Sequence, residues 1–155
     1  AADCILRRMM KKKLSFIISL ILVLCFPLAV VSANQETVSG SVTRGSESQA
    51  VSGNWIMKSS ASNSDYCVNL LGCSAPGIPT NYVGANNLVF RPYTINNIEA
   101  ANIVNFYNSY CDGNNRLYGS YIGGRGGNGS SFYLKKSLSS SSTSSSMDYT
   151  LRWNP

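Results

Sequence analysis

Apolar residues come in two textures along this chain. Between Leu14 and Val31 they run without a charged residue, interrupted only by Ser15, Ser19 and Pro27. From Gly53 onward they fall into short runs separated by turn formers. The second texture is that of β-strands, which alternate buried and solvated side chains with a period of two. In "DYCVNLL", Tyr66, Val68 and Leu70 share one side, with Cys67, Asn69 and Leu71 on the other. "SSFYLKK" sets Phe132 and Leu134 against Tyr133 and Lys135. "DYTLRW" alternates most cleanly, with Tyr149, Leu151 and Trp153 inward and Thr150 and Arg152 outward. "NLVFRPYT" reads as a strand that Pro92, lacking a backbone donor, pushes toward a sheet edge. "RLYGSYI" follows a strong turn signal at Asp112-Gly113.

Other stretches are less regular. Asn34–Gln49 reads as a loose polar arm, or at most an edge strand around Val38–Thr43. Ile95–Cys111 reads either as a helical turn leading into a strand or as extended chain, with Ile103–Tyr107 a short β-prone run. An Asn96/Glu99 capping box would open the helical turn, and Ala100, Ile103, Val104, Tyr107 and Cys111 would share a face. Ser137–Ser146 is nearly all serine and reads as a flexible linker or hairpin tip in which nothing can pack. The expected fold is all-β: a small antiparallel β-sandwich or partly open barrel of about six strands, preceded by a helical signal peptide.

The first texture is a targeting segment. Lys11, Lys12 and Lys13 precede the apolar run, and Val31-Ser32-Ala33 closes it with small residues. A basic start, an apolar middle and a small-x-small end are the parts of a secretory signal. Residues 10–33 are therefore assigned as a signal peptide cut after Ala33, and residues 1–9 as upstream sequence or a scar. An uncleaved anchor is the alternative, since Leu14–Val31 is close to a membrane span. Residues 34–52 then form the polar arm and 53–155 the β-domain, with the serine-rich segment at 137–146. The localisation that follows is secreted, or held at the cell surface if the signal stays.

Cleavage changes the charge. The whole chain carries a formal +6, but residues 34–155 hold eight Lys and Arg against six Asp and Glu, a balance of +2. No basic cluster beyond Lys135-Lys136 remains, so no nucleic-acid footprint is expected, and membrane contact only through the signal. The chain has no His, which removes the commonest general base and the usual zinc ligand. Ser131 and Lys135 would sit about 13 Å apart on a strand, too far for a dyad. We expect no catalytic residues, no metal and no cofactor.

Three cysteines follow the cut: Cys67, Cys73 and Cys111. Outside the cell they imply one bridge and one leftover thiol. Cys67 could pair with Cys73 in a local loop, or either could pair with Cys111. All nine tyrosines lie after the cut, amid abundant Ser, Asn and Gly. Rigid amphipathic rings among adaptable polar residues are the chemistry of recognition surfaces, and Trp55, Tyr118, Tyr121 and Tyr133 are the candidate binding aromatics. The plainer alternative is that tyrosines are good strand residues that keep one end wet.

"NFYNSYCDGNNRLYGSYI" (Asn105–Ile122) and the close "YTLRWNP" (Tyr149–Pro155), with the Lys-rich leader, resemble a group of small secreted Gram-positive proteins of uncharacterised function. The resemblance implies a secreted Ser/Asn/Gly-rich β-protein and carries over no catalytic residues. Their usual close continues with an acidic residue after the proline, which this chain lacks. The expected role is a non-enzymatic binding module directed at the cell envelope or another extracellular ligand. A membrane-active antimicrobial or toxin-like protein is the alternative, and a small hydrolase a remoter one.

Overall fold

The computed structural model describes residues 35–46, 49–51, 56–58, 64–127 and 129–155. The signal segment 10–33 and Trp55 lie outside them. Nine strands follow in chain order: β1 (Glu36–Thr43), β2 (Gln49–Ala50), β3 (Ile56–Met57), β4 (Asp65–Ser74), β5 (Leu88–Thr94), β6 (Val104–Phe106), β7 (Arg116–Ser120), β8 (Ser131–Leu138) and β9 (Ser146–Asn154). They form two antiparallel sheets. Sheet A has the order β1-β9-β4-β7, and sheet B the order β2-β8-β5-β6 with β3 also on β8. Both are open, so the architecture is a sandwich and not a closed barrel.

The expected alternation sets the core. Met147, Tyr149, Leu151 and Trp153 of β9 are buried, as are Tyr66, Val68 and Leu70 of β4. From sheet B they meet Leu88 and Phe90 of β5 and Phe132, Leu134 and Leu138 of β8. Phe90 packs edge-on against Tyr149 at 5.5 Å between centroids. The Tyr66 hydroxyl donates across the sandwich to the carbonyls of Phe90 (3.1 Å) and Asn102 (2.7 Å).

Two central tyrosines of sheet A lie over glycines in its edge strands. Tyr66 pairs with Gly119 on β7, and Tyr149 with Gly40 on β1. A Cβ on Gly119 would stand 2.3 Å from the Tyr66 ring, and one on Gly40 2.7 Å from the Tyr149 hydroxyl. The missing side chains are what let the rings lie flat on the edges. We therefore expect Gly119→Ala to destabilise by about 2–3 kcal/mol, because overpacking displaces a buried, hydrogen-bonded ring. In a Tyr66→Leu background the same change should cost far less. Chemical denaturation of the two singles and the double checks this, and additive losses would refute it.

Four expectations change. The polar arm contributes the full edge strand β1, paired along its length with β9 from Glu36↔Trp153 to Thr43↔Ser146. Pro92 sits in a strand with neighbours on both sides: β6 pairs only Leu88–Phe90, so it has ended before Pro92 is reached, and no donor is missed there. The stretch from Ile95 contains no helix. Asn97 takes a left-handed φ of 60°, its N–H returns to the Thr94 carbonyl, and Thr94 Oγ1 accepts from the Ile98 N–H, so Thr94 rather than Asn96 organises a tight turn. The supposed helical face is split, with Ala100, Val104 and Cys111 buried while Ile103 and Tyr107 are about half exposed.

The fourth concerns the serines. β8 continues to Leu138 and β9 begins at Ser146, so the connection is only 139–145, and parts of it pack. Ser142 and Ser144 are buried around Asn86 and Asn87. The Ser144 N–H donates to Asn86 Oδ1 (2.9 Å), Asn86 Nδ2 donates to Ser144 Oγ (3.1 Å), and the Asn87 N–H donates to Ser142 Oγ (3.0 Å). Short hydroxyls can satisfy buried amides where apolar residues could not.

Candidate functional site

Sheet B covers one face of sheet A. On the other face, alternate residues of adjacent strands line up in rows. One row reads Arg116 (β7), Asn69 (β4), Arg152 (β9) and Thr37 (β1); the next reads Tyr118, Cys67 and Asn154. Thr37 apart, these residues line a groove of about 390 Å³. Ser64, Asp65, Gln35 and Pro155 also line it.

Arg116 and Arg152 are exposed, and neither forms an ion pair among the described residues. Arg152 Nε reaches Thr37 Oγ1 at 3.5 Å, the outer limit of a hydrogen bond. Between them Asn69 is only 5% exposed. Its Nδ2 donates to the Gly113 carbonyl at 2.8 Å, while its Oδ1 has no donor among the described residues. Gly113 belongs to the expected turn, where a φ of 80° requires glycine and Asp112 Oδ1 accepts from the Asn114 N–H. The turn thus aims the Asn69 carboxamide.

Cys67 is the leftover thiol, since the bridge joins Cys73 to Cys111 across a sequence separation of 38. Burial pushes the Cys67 thiol up, against a Tyr118 hydrogen bond and the Arg116 charge, which both favour the thiolate. At neutral pH it is a protonated, half-buried floor to the groove and not an activated nucleophile.

The three candidate aromatics among the described residues do not converge. Tyr118 is 64% exposed at the groove. Tyr121 turns toward the core, 5.0 Å from Phe132 and 6.1 Å from Tyr66 between centroids, and burial raises its phenol. Tyr133 lies on the outer face of sheet B beside Tyr93 (5.9 Å), with Lys135 Nζ 4.2 Å above the Tyr93 ring. Sequence reasoning did not single out Arg116, Asn69, Arg152 or Asn154. Their outward parity was readable, but their alignment depends on strand order.

Among the described residues no group of three His, Cys, Asp or Glu side chains converges as metal ligands would, and no helix is long and apolar enough to cross a membrane. No family model matches the chain, and comparison with curated proteins and solved structures finds no match.

Proposed function

We propose that the chain is a small exported binding module without enzymatic activity, acting at the cell surface or in its surroundings, and that the groove on sheet A is its recognition surface. The observation that carries this reading is the row Arg116–Asn69–Arg152, in which three neighbouring strands set two exposed cations, unpaired among the described residues, on either side of a buried acceptor without a donor. Binding sites place a few polar groups on a rigid frame, and central strands supply that frame. The basic-apolar leader and the one-bridge cysteine pattern support the extracellular setting.

A pull-down from the protein's own cell envelope, with mass spectrometry and glycan analysis of what is retained, tests the reading. We expect the Arg116→Gln/Arg152→Gln double variant to retain at least tenfold less of the captured component. Equal capture by both proteins would remove the groove from the account.

A further inference from the structure

We propose that the groove takes an anionic saccharide: a hydroxylated ring bearing a carboxylate or a phosphate. The inference rests on the groove being the recognition surface, and names what it recognises.

Charge comes first. Arg116 and Arg152 stand two strand spacings apart, about 10 Å between Cα atoms. A guanidinium offers a planar fork of donors that matches carboxylate or phosphate oxygens. Asp65 is the acid lining the groove among the described side chains. It lies four residues from Asn69 along β4, about 13 Å away, so it leaves the arginine pair unneutralised.

The second element is the unfilled acceptor. Asn69 lines the groove, and its Oδ1 is buried there without a donor among the described residues. An anion's oxygens cannot satisfy it, because an acceptor needs an N–H or O–H. A ligand that satisfies it must carry a donor beside its anionic group, as a sugar hydroxyl beside a uronic carboxylate or a sugar phosphate does. Leaving such an acceptor empty is costly, so filling it favours the correct ligand strongly. Asn154, Gln35 and Ser64 extend the set of partners for hydroxyls.

The third element is Tyr118. Its ring stands in the row next to the arginines, largely exposed on the edge strand. An exposed ring offers a flat apolar wall with a polar end, which suits the carbon face of a sugar. The groove's volume is at the small end of the range for ligand sites.

The test is calorimetric titration of the purified protein at low salt with four probes: a trigalacturonate, the same trisaccharide with its carboxylates reduced to alcohols, glucose 6-phosphate, and acetate. We expect the trigalacturonate or the sugar phosphate to bind at least tenfold more tightly than both the reduced sugar and acetate. Which of the two binds identifies the anionic group. Arg116→Gln/Arg152→Gln should weaken that binding tenfold or more, Tyr118→Ala should weaken it severalfold, and bound ligand should shield Cys67 from iodoacetamide. Equal binding of the reduced trisaccharide, undiminished binding by the arginine variant, or no binding of either anionic sugar would each overturn the proposal. If the pull-down still shows arginine-dependent capture, only the saccharide class falls. If capture ignores the arginines, the groove reading falls with it.

Discussion

A chain lacking Asp148–Pro155 will show no cooperative thermal transition. The deletion removes all but the first two residues of β9, which lies between β1 and β4. Tyr149, Leu151 and Trp153 leave the core together, each at most 2% exposed. Large-to-small core changes cost about 2–5 kcal/mol each, against a total of roughly 5–15 kcal/mol for a domain of ordinary stability. The loss of the three side chains alone is therefore comparable with the whole. Most of two strand ladders goes as well: β1 keeps only Val42↔Met147, Thr43↔Ser146 and the isolated bridge beyond its end between Arg44 and Leu138, and β4 keeps only β7. Near-ultraviolet circular dichroism during a thermal melt decides the matter. A sigmoidal transition within a few degrees of the parent's would mean that β9 is dispensable.

Reduction of the bridge, or a Cys73→Ser/Cys111→Ser change, should lower the melting temperature by roughly 10–20 °C. The bridge closes a long excursion. The chain leaves sheet A at Ser74, builds β5 and β6 in sheet B, and returns past Cys111 into β7 beside β4. With 38 residues of separation, constraint of the unfolded chain contributes about 3–4 kcal/mol, and each kcal/mol moves the midpoint of a domain this size by several degrees. The same pairing forecasts the thiol count. Denatured but unreduced protein cut after Ala33, which no longer carries Cys4 and Cys25, should titrate one thiol per chain, and peptide mapping should place it at Cys67. In the native protein its alkylation should be slow at neutral pH and quicken as pH rises, because burial holds the thiol protonated. Three titratable thiols, or a label on Cys73, would refute the connectivity.

Strand parity was legible wherever one face is buried. Tyr66/Val68/Leu70, Phe132/Leu134 and Tyr149/Leu151/Trp153 all point inward as their alternation requires. What alternation cannot carry is neighbourhood. Arg116 and Arg152 are far apart in the chain, and only the placing of β9 and β7 on either side of β4 brings them together across Asn69. The same limit left the bridge open among three pairings. The misread segments share another cause. Polar residues such as Thr94, Asn86 and the serines gain structure by bonding to a particular distant or local backbone group, and composition does not show which. β1 was underestimated because an edge strand with one wet face needs only Val38 and Val42 as apolar contacts.

β9, last of the nine strands in chain order, lies between β1 and β4 in sheet A, and β1, the first of them, pairs with it from Glu36↔Trp153 onward. A ribosome releases such a chain from the N-terminal side first. Until the nine residues of β9 are free, β1 lacks its ladder and the aromatic wall of Tyr149 and Trp153 does not exist. Pairings so remote in sequence are also slow to form. For a protein exported as proposed, this topology acts as a timer: sheet A cannot close, and the chain stays threadable through a narrow secretion pore, until β9 has been made. It locks only on the far side, where an oxidising environment can join Cys73 to Cys111 behind it.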